Sequence, residues 1–205
     1  MRVIRDRIRI LEVFGAASWD FRFLEGAFQR DRRVNCKIFL QNADRRLFRQ
    51  PQERLIDKLP ATAEELARNY DIVILSRVDL ASLPREFPGL VQDFVKESGG
   101  GVVFLCDGAD LPFSAKGTRL EAVLPVKLTA VVGDSNFNQE MFRPLDTAYK
   151  FEVVAEASCN PLTTFDPLPE RNAAVWSGFP PCYELVTQVE PKPSAIVLVN
   201  GRAAG

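Results

Sequence analysis

Two hydrophobic periods alternate along the first half of this chain. Ile8, Ile10, Leu11 and Val13 form a strand-like run that enters Gly15-Ala-Ala-Ser18, a turn of small residues that lets backbone approach a ligand or another loop. Behind a cap at Ser18 or Asp20, Phe21, Leu24, Ala27 and Phe28 recur at helical spacing as far as the charged Arg30-Asp-Arg-Arg33. Val34 to Leu40 is a second strand. A long, mostly polar and basic stretch follows, Gln41 to Pro60, carrying Arg45, Arg46, Arg49, Arg54 and Lys58; it is either a functional lid or a solvated excursion, and the solvated excursion is the expected reading. Thr62-Ala-Glu-Glu65 is a capping box that opens a short helix to about Arg68, and Asp71 to Leu75 is a third strand with an unbroken apolar run, the pattern of a strand buried on both faces.

Phe87, Leu90, Val91, Phe94 and Val95 share one helical stripe, and Gly99-Gly-Gly101 stops that helix before a fourth strand, Val102 to Cys106. Strands alternating with helices predict an α/β fold, a parallel sheet with right-handed crossovers and helices on both faces. The second half is β-rich. A second capping box, Thr118-Arg-Leu-Glu121, opens a helix that must stop by Pro125. Strand-like pieces follow at Val126 to Val132, Tyr149 to Val154, Tyr183 to Val189 and Ala195 to Val199, with proline-rich stretches between them. They are expected to be sheet extensions and long loops of the same domain, and Trp176 with Phe179-Pro-Pro-Cys182 is expected to be a packed loop.

With 205 residues the chain is the size of one domain, residues 1–205, and the short tail after Ala195 to Val199 makes it read as a piece of a longer protein. A formal net charge of −1 gives no global field to draw it to nucleic acid or anionic lipid. Its apolar runs are strand-length, so direct membrane contact by this piece is not expected. Four cysteines without a C-x-x-C pair and without any histidine offer no recognisable metal-ligand set, and no cofactor is expected either. Cys36, alternating with Val34, Ile38 and Leu40, reads as a small buried hydrophobe, and Arg2, Arg5, Arg7 and Arg9 as a solvated strand edge.

In an open parallel sheet ligands bind beyond the carboxyl ends of the strands, here Gly15 to Trp19, Ser76 to Asp79 and Cys106 to Asp110. The candidate ligand-binding residues there are Ser18, Trp19, Asp20, Arg77, Asp79, Asp107 and Asp110, and the candidate nucleophile is Cys106.

The Gly-Gly-Gly-Val-Val-Phe-Leu strand ending at Cys106-Asp107-Gly108 resembles the class I glutamine amidotransferase superfamily, whose fold is flavodoxin-like. It is most similar to the amidotransferase-like domains of large bacterial membrane-associated proteins. The passages that carry this are Ile10-Leu-Glu-Val-Phe-Gly15, Trp19-Asp-Phe-Arg-Phe-Leu24, Tyr70-Asp-Ile-Val-Ile-Leu75 with Asp79, Phe94-Val-Lys-Glu-Ser-Gly-Gly-Gly101, Thr118 to Val126 and Gly178-Phe-Pro-Pro181. The resemblance implies a parent protein tethered to a bacterial membrane, further sheet after Val199, and partners that are other domains of that parent or a small polar ligand.

In active members a cysteine in a G-x-C-x-G turn attacks the glutamine amide, activated by a histidine with a carboxylate behind it. Cys106 and Gly108 match the turn, Phe104 replaces its first glycine, and the chain has no histidine. A thiol near its ordinary pKa needs a base or a positive neighbour to ionise at neutral pH, and a carboxylate such as Asp107 opposes that ionisation. No helical stripe directly follows Cys106, so the strand-to-helix elbow is not expected. The reading that follows is a non-catalytic domain that binds a ligand or protein through its strand-end loops. The alternatives are a cysteine-dependent hydrolase or amidotransferase in which Arg77 or Asp20 assists Cys106, and sugar or nucleotide binding by Trp19 and Phe21 with Asp79 or Asp110.

Overall fold

β1 (Ile8–Phe14), β2 (Val34–Leu40), β3 (Ile72–Ser76) and β4 (Gly101–Leu105) pair in parallel, in the order β2-β1-β3-β4, in a computed structural model that describes residues 7–15, 19–41, 54–106, 111–129, 147–183 and 185–204. The connections carry α1 (Trp19–Arg30), α2 (Ala63–Asn69) and α3 (Phe87–Lys96). The chain, expected as one domain over residues 1–205, divides into two compact units, Met1–Leu124 and Pro125–Gly205.

In the first unit the strand period sorts side chains onto two faces. Ile10, Phe14, Cys36, Ile38, Leu40 and Ile74 pack as one buried cluster with Phe21 of α1, and Leu24 and Phe28 of the same helix lie against it. The opposite parity, Leu11, Val13, Val73 and Leu75, is fully buried as well, and the buried stripes of α2 and α3 (Leu66, Phe87, Val91, Phe94) supply its cover. β3 is thus buried on both faces because it is central, whereas β4 has no further strand beside it among the described residues and leaves Val103 41% exposed.

The helix ends follow the local chemistry. Thr62 caps α2 by accepting from the Glu65 amide at 3.1 Å, and Glu65 reaches back to the Ala61 amide at 2.9 Å. After α3, Gly99 takes φ +69° and the Gly100 amide returns to the Phe94 carbonyl at 3.1 Å. A side chain at Gly100 would run into the Phe94 ring, so two adjacent glycines serve two different needs. The second capping box makes a 3-10 turn, Arg119–Ala122, in which Thr118 accepts from Leu120 and Glu121 accepts from the Gly117 amide.

Two expectations about single residues need correction. β1 lies between β2 and β3, so Arg9 is not on a sheet edge, while Arg2 and Arg5 lie outside the described residues. Arg9 instead forks onto Asp71, with Nη2 2.7 Å from Oδ1 and Nε 3.1 Å from Oδ2, and ties the start of β1 to the start of β3. The second correction concerns Trp176, which lies in a helix, α4 (Pro169–Ser177), and not in a loop. Proline at its first turn and Glu170 behind it suit a helix start, but only Asn172 is buried, so no apolar stripe announces the helix.

The second unit holds two antiparallel pairs. β5 (Val126–Leu128) pairs with β7 (Val189–Pro191), and β6 (Tyr149–Val153) pairs with β8 (Val199–Ala203). They are separate two-stranded sheets among the described residues, not extensions of the parallel sheet, and the last two strands begin later than the apolar runs suggest. Asn172 organises the turn ahead of α4. Its Oδ1 accepts from the amides of Phe165 (2.8 Å) and Asp166 (3.3 Å), and its Nδ2 donates to the Thr163 carbonyl at 3.0 Å, which also accepts from Trp176 Nε1 at 2.9 Å. Phe165, Trp176 and Phe179 stack edge-on or tilted around that turn at 5.4 to 5.8 Å.

Candidate functional site

The carboxyl ends of β1 and β3 touch where the strand order reverses, the crevice at which open α/β sheets take ligands. The Gly15 amide donates to the Ser76 carbonyl at 3.0 Å, and a Cβ on Gly15 would sit 1.6 Å from the Arg77 carbonyl oxygen. Only glycine fits there. Arg77 itself has φ 49°, a left-handed backbone that costs a side-chain-bearing residue about 1 kcal/mol or more. Gln41, at the end of β2, stitches the same region from the other side, donating from Nε2 to the Asp79 carbonyl (2.7 Å) and accepting from the Asp79 amide (3.0 Å).

Beside this crossing lies a pocket of about 630 Å³. Phe23, Leu24 and Ala27 of α1 form one wall, Phe104, Leu105 and Cys106 form another, and Ser76 and Arg77 stand at its edge. The volume is in the range of small-molecule sites, and the lining has their usual character, an apolar body with a few polar groups together. The pocket exists because α1 covers the sheet over β1 and β2 and leaves the β4 side of that face open, where Phe23 is 73% exposed.

Of the residues expected at the site, the fold brings Arg77 and Cys106 to one pocket. Cys106 is an exposed thiol, as is Cys159, and none of the four cysteines is in a disulfide. Asp79 is instead a structural cap. Its Oδ1 accepts from the Ala81 amide at 3.0 Å and Oδ2 from the Ser82 hydroxyl, and these bonds, the Ser82 one first, hold its carboxyl below the ordinary value. Trp19 and Asp20 are the first residues of α1, and Phe21, expected to stack on a ligand, is buried in the core at 2% exposure. Ser18, Asp107 and Asp110 lie outside the described residues. From Leu111 the chain continues as a turn and a 3-10 segment, Phe113–Ala115.

The sequence reading missed a second polar group altogether. Glu12, in the middle of the α1-facing side of β1, is 0% exposed, and its carboxylate oxygens find no N–H or O–H donor among the described residues, only the weak S–H of Cys36 beside them. Burial raises its pKa to about 7, and the nearby charge of Glu25 adds to that, while the Cys36 thiol and Arg54 act in the opposite sense. Glu25 of α1 is also buried and its carboxyl is raised, burial again leading, against the hydrogen bond from Gln29 and the charge of Arg54. The Cys36 thiol, buried as expected, is pushed far up by burial and then by Glu12. The signal in the sequence was a lone glutamate at an inward position of an apolar strand, Ile-Leu-Glu-Val-Phe.

Among the described residues no group of three or more metal-ligating side chains is assembled, and no helix is long and apolar enough to cross a membrane. Fold and pocket together define the class: an α/β protein with a ligand-sized pocket at the carboxyl ends of a parallel sheet. Comparison with protein-family models, with curated proteins and with solved structures finds no match to this chain.

Proposed function

We propose that the chain is a binding domain of the amidotransferase-like, flavodoxin-like type, and that its strand-end pocket takes a small ligand with an apolar body and an anionic or polar end. The observation that carries this is the lining itself, with Phe23, Leu24, Ala27, Phe104 and Leu105 for the body and Ser76, Arg77 and Cys106 for the end. The parallel order β2-β1-β3-β4 supports the flavodoxin-like type, since it is the first part of that fold's strand order. Cys106 follows β4, where the resemblance puts the amidotransferase nucleophile, but these 205 residues contain no histidine to take its proton. Binding without turnover is the function these groups can perform, and the carrier of such a ligand, or another domain of the parent protein, is the natural partner.

Thermal unfolding with a series of short-chain carboxylates, and with alcohols of equal length, tests this. A ligand that binds only the folded state raises the melting temperature, by about 2.7 kcal/mol of stabilisation at one hundred times its Kd. The carboxylates should stabilise the protein more than the alcohols, slow alkylation of Cys106, and lose their advantage in Arg77→Gln. Equal effects of acid and alcohol, or alkylation of Cys106 indifferent to both, would sink the proposal. Steady cleavage of an activated ester that disappears in Cys106→Ser would favour the enzymatic alternative.

A further inference from the structure

The inward face of β1 presents Ile10, Glu12 and Phe14 to α1, and the residues around Glu12 are otherwise those of an ordinary core. Four polar groups converge there from four elements. Glu12 comes from β1, Glu25 from α1, Cys36 from β2, and Arg54 from the stretch that runs along the outer edge of β2. β3 faces the same cluster with Ile74 and adds no titratable group, while Tyr70, buried at the end of α2, keeps its proton because burial raises its phenol, and it lies close enough to feel the charge of Cys36.

Arg54 is half-buried, and its Nη1 is shielded from solvent without a hydrogen-bond partner among the described residues. The stretch that carries it is lightly attached. Leu55 makes a single parallel bridge to Ile38, with the Ile56 amide donating to the Ile38 carbonyl at 2.9 Å. A shielded guanidinium nitrogen without a partner among the described residues, and two shielded carboxylate oxygens with only the weak Cys36 thiol beside them, are each costly, and they stand in one cluster with opposite charges. An apolar residue at position 12 would remove the cost on the β1 side. The arrangement therefore has a two-state character, in which the charge on Glu12 decides whether the Arg54 guanidinium is compensated.

We propose that Glu12 is a proton-operated latch on the Arg54–Ile56 stretch. The ionised carboxylate holds the Arg54 guanidinium in this cluster, and the neutral acid lets that stretch leave the edge of β2. Because Arg54 favours the charged form of Glu12, the charged form must favour docked Arg54 by the same factor. The titration of Glu12 at about 7 puts the exchange between the two states near neutral pH. The effect on the whole fold has the opposite sign, since ionising a buried carboxylate weakens the folded state. The latch tightens with rising pH while global stability falls, and no general loosening or tightening of the protein can imitate that pair of changes.

Amide hydrogen exchange of the intact protein at pH 6 and pH 8, corrected for the intrinsic rates, reads both. The Ile56 amide reports the latch, and the Tyr70 amide, bonded to the Leu66 carbonyl at 2.9 Å at the end of α2, is the reference. Ile56 protection should rise about fivefold from pH 6 to pH 8 with no rise at Tyr70. In Glu12→Gln, which keeps size and shape, Ile56 protection should be the same at both pH values. In Arg54→Gln it should be low at both, with the Glu12 titration moved upward. In Glu25→Gln the rise should persist with its midpoint moved downward, because a repelling charge is gone. Constant Ile56 protection in the unaltered protein, or an undiminished rise in Glu12→Gln, overturns the proposal.

Discussion

Gly15 and Glu12 stand three positions apart on one strand and show how differently single residues constrain this protein. Gly15 has no room for a methyl group, because a Cβ would lie 1.6 Å from the Arg77 carbonyl oxygen. Gly15→Ala must therefore push apart the ends of β1 and β3, and a loss of about 3 kcal/mol or more is expected in urea unfolding. A loss under about 1 kcal/mol would mean that the crossing relaxes freely and that the pocket beside it is not held by this contact. At Glu12 the residue type is unfavourable by itself, since a leucine would bury better, and the reason for a carboxylate lies in the group opposite it. The sequence announced Gly15 as part of a small-residue turn because glycine has few uses. It did not announce Glu12 as buried, because a charged residue in a strand is by default a solvated one.

At the scale of elements, β1 to β4 and α1 to α3 were legible because each carries a strong period, two in strands or 3.6 in helices, with caps or glycines at the ends. α4 was not. Its buried contact is Asn172, a polar residue that acts through backbone hydrogen bonds to Phe165, Asp166 and Thr163, and hydropathy has no signature for that. Asn172→Ala leaves two amides without that acceptor, at about 1 to 3 kcal/mol for each group that stays buried. The expected outcome is a loosened 163–168 turn, seen as a red-shifted and more quenchable Trp176 fluorescence, recorded with Trp19 replaced by Phe. An unchanged spectrum would show that the ring cluster of Phe165, Trp176 and Phe179 holds the turn without Asn172.

For the whole molecule the buried carboxylates set how stability varies with pH. In the unfolded chain Glu12 titrates near 4.5, and in the folded chain at about 7. Below about pH 4.5 both states hold the proton and nothing is lost, and between 4.5 and 7 the unfolded chain releases it first, so stability falls. Above about 7 the loss is complete, roughly 3 kcal/mol from this group for a gap of that size. Glu25, raised as well, acts in the same direction. Asp79, lowered, acts in the opposite direction and only in acid, as an exposed cap of small weight. Unfolding free energies from pH 4.5 to 8 should therefore decline in the unaltered protein and decline much less in Glu12→Gln. Parallel curves for the two proteins would contradict the burial of the Glu12 charge.

The local periods in the sequence were enough to establish the α/β alternation of the first half and where its strands and helices stop. Those features depend on residues close to one another in the chain. What only the tertiary structure decided depends on which distant residues meet. It made β1 a central strand with Arg9 on Asp71, spent Asp79 on a cap, and opened a pocket between α1 and the end of β4. It also brought Glu12, Glu25, Cys36 and Arg54, from four separate parts of the chain, within electrostatic reach of one another. Each of these follows from strand order and helix placement, and strand order is a choice among pairings that hydrophobic period alone leaves equally available.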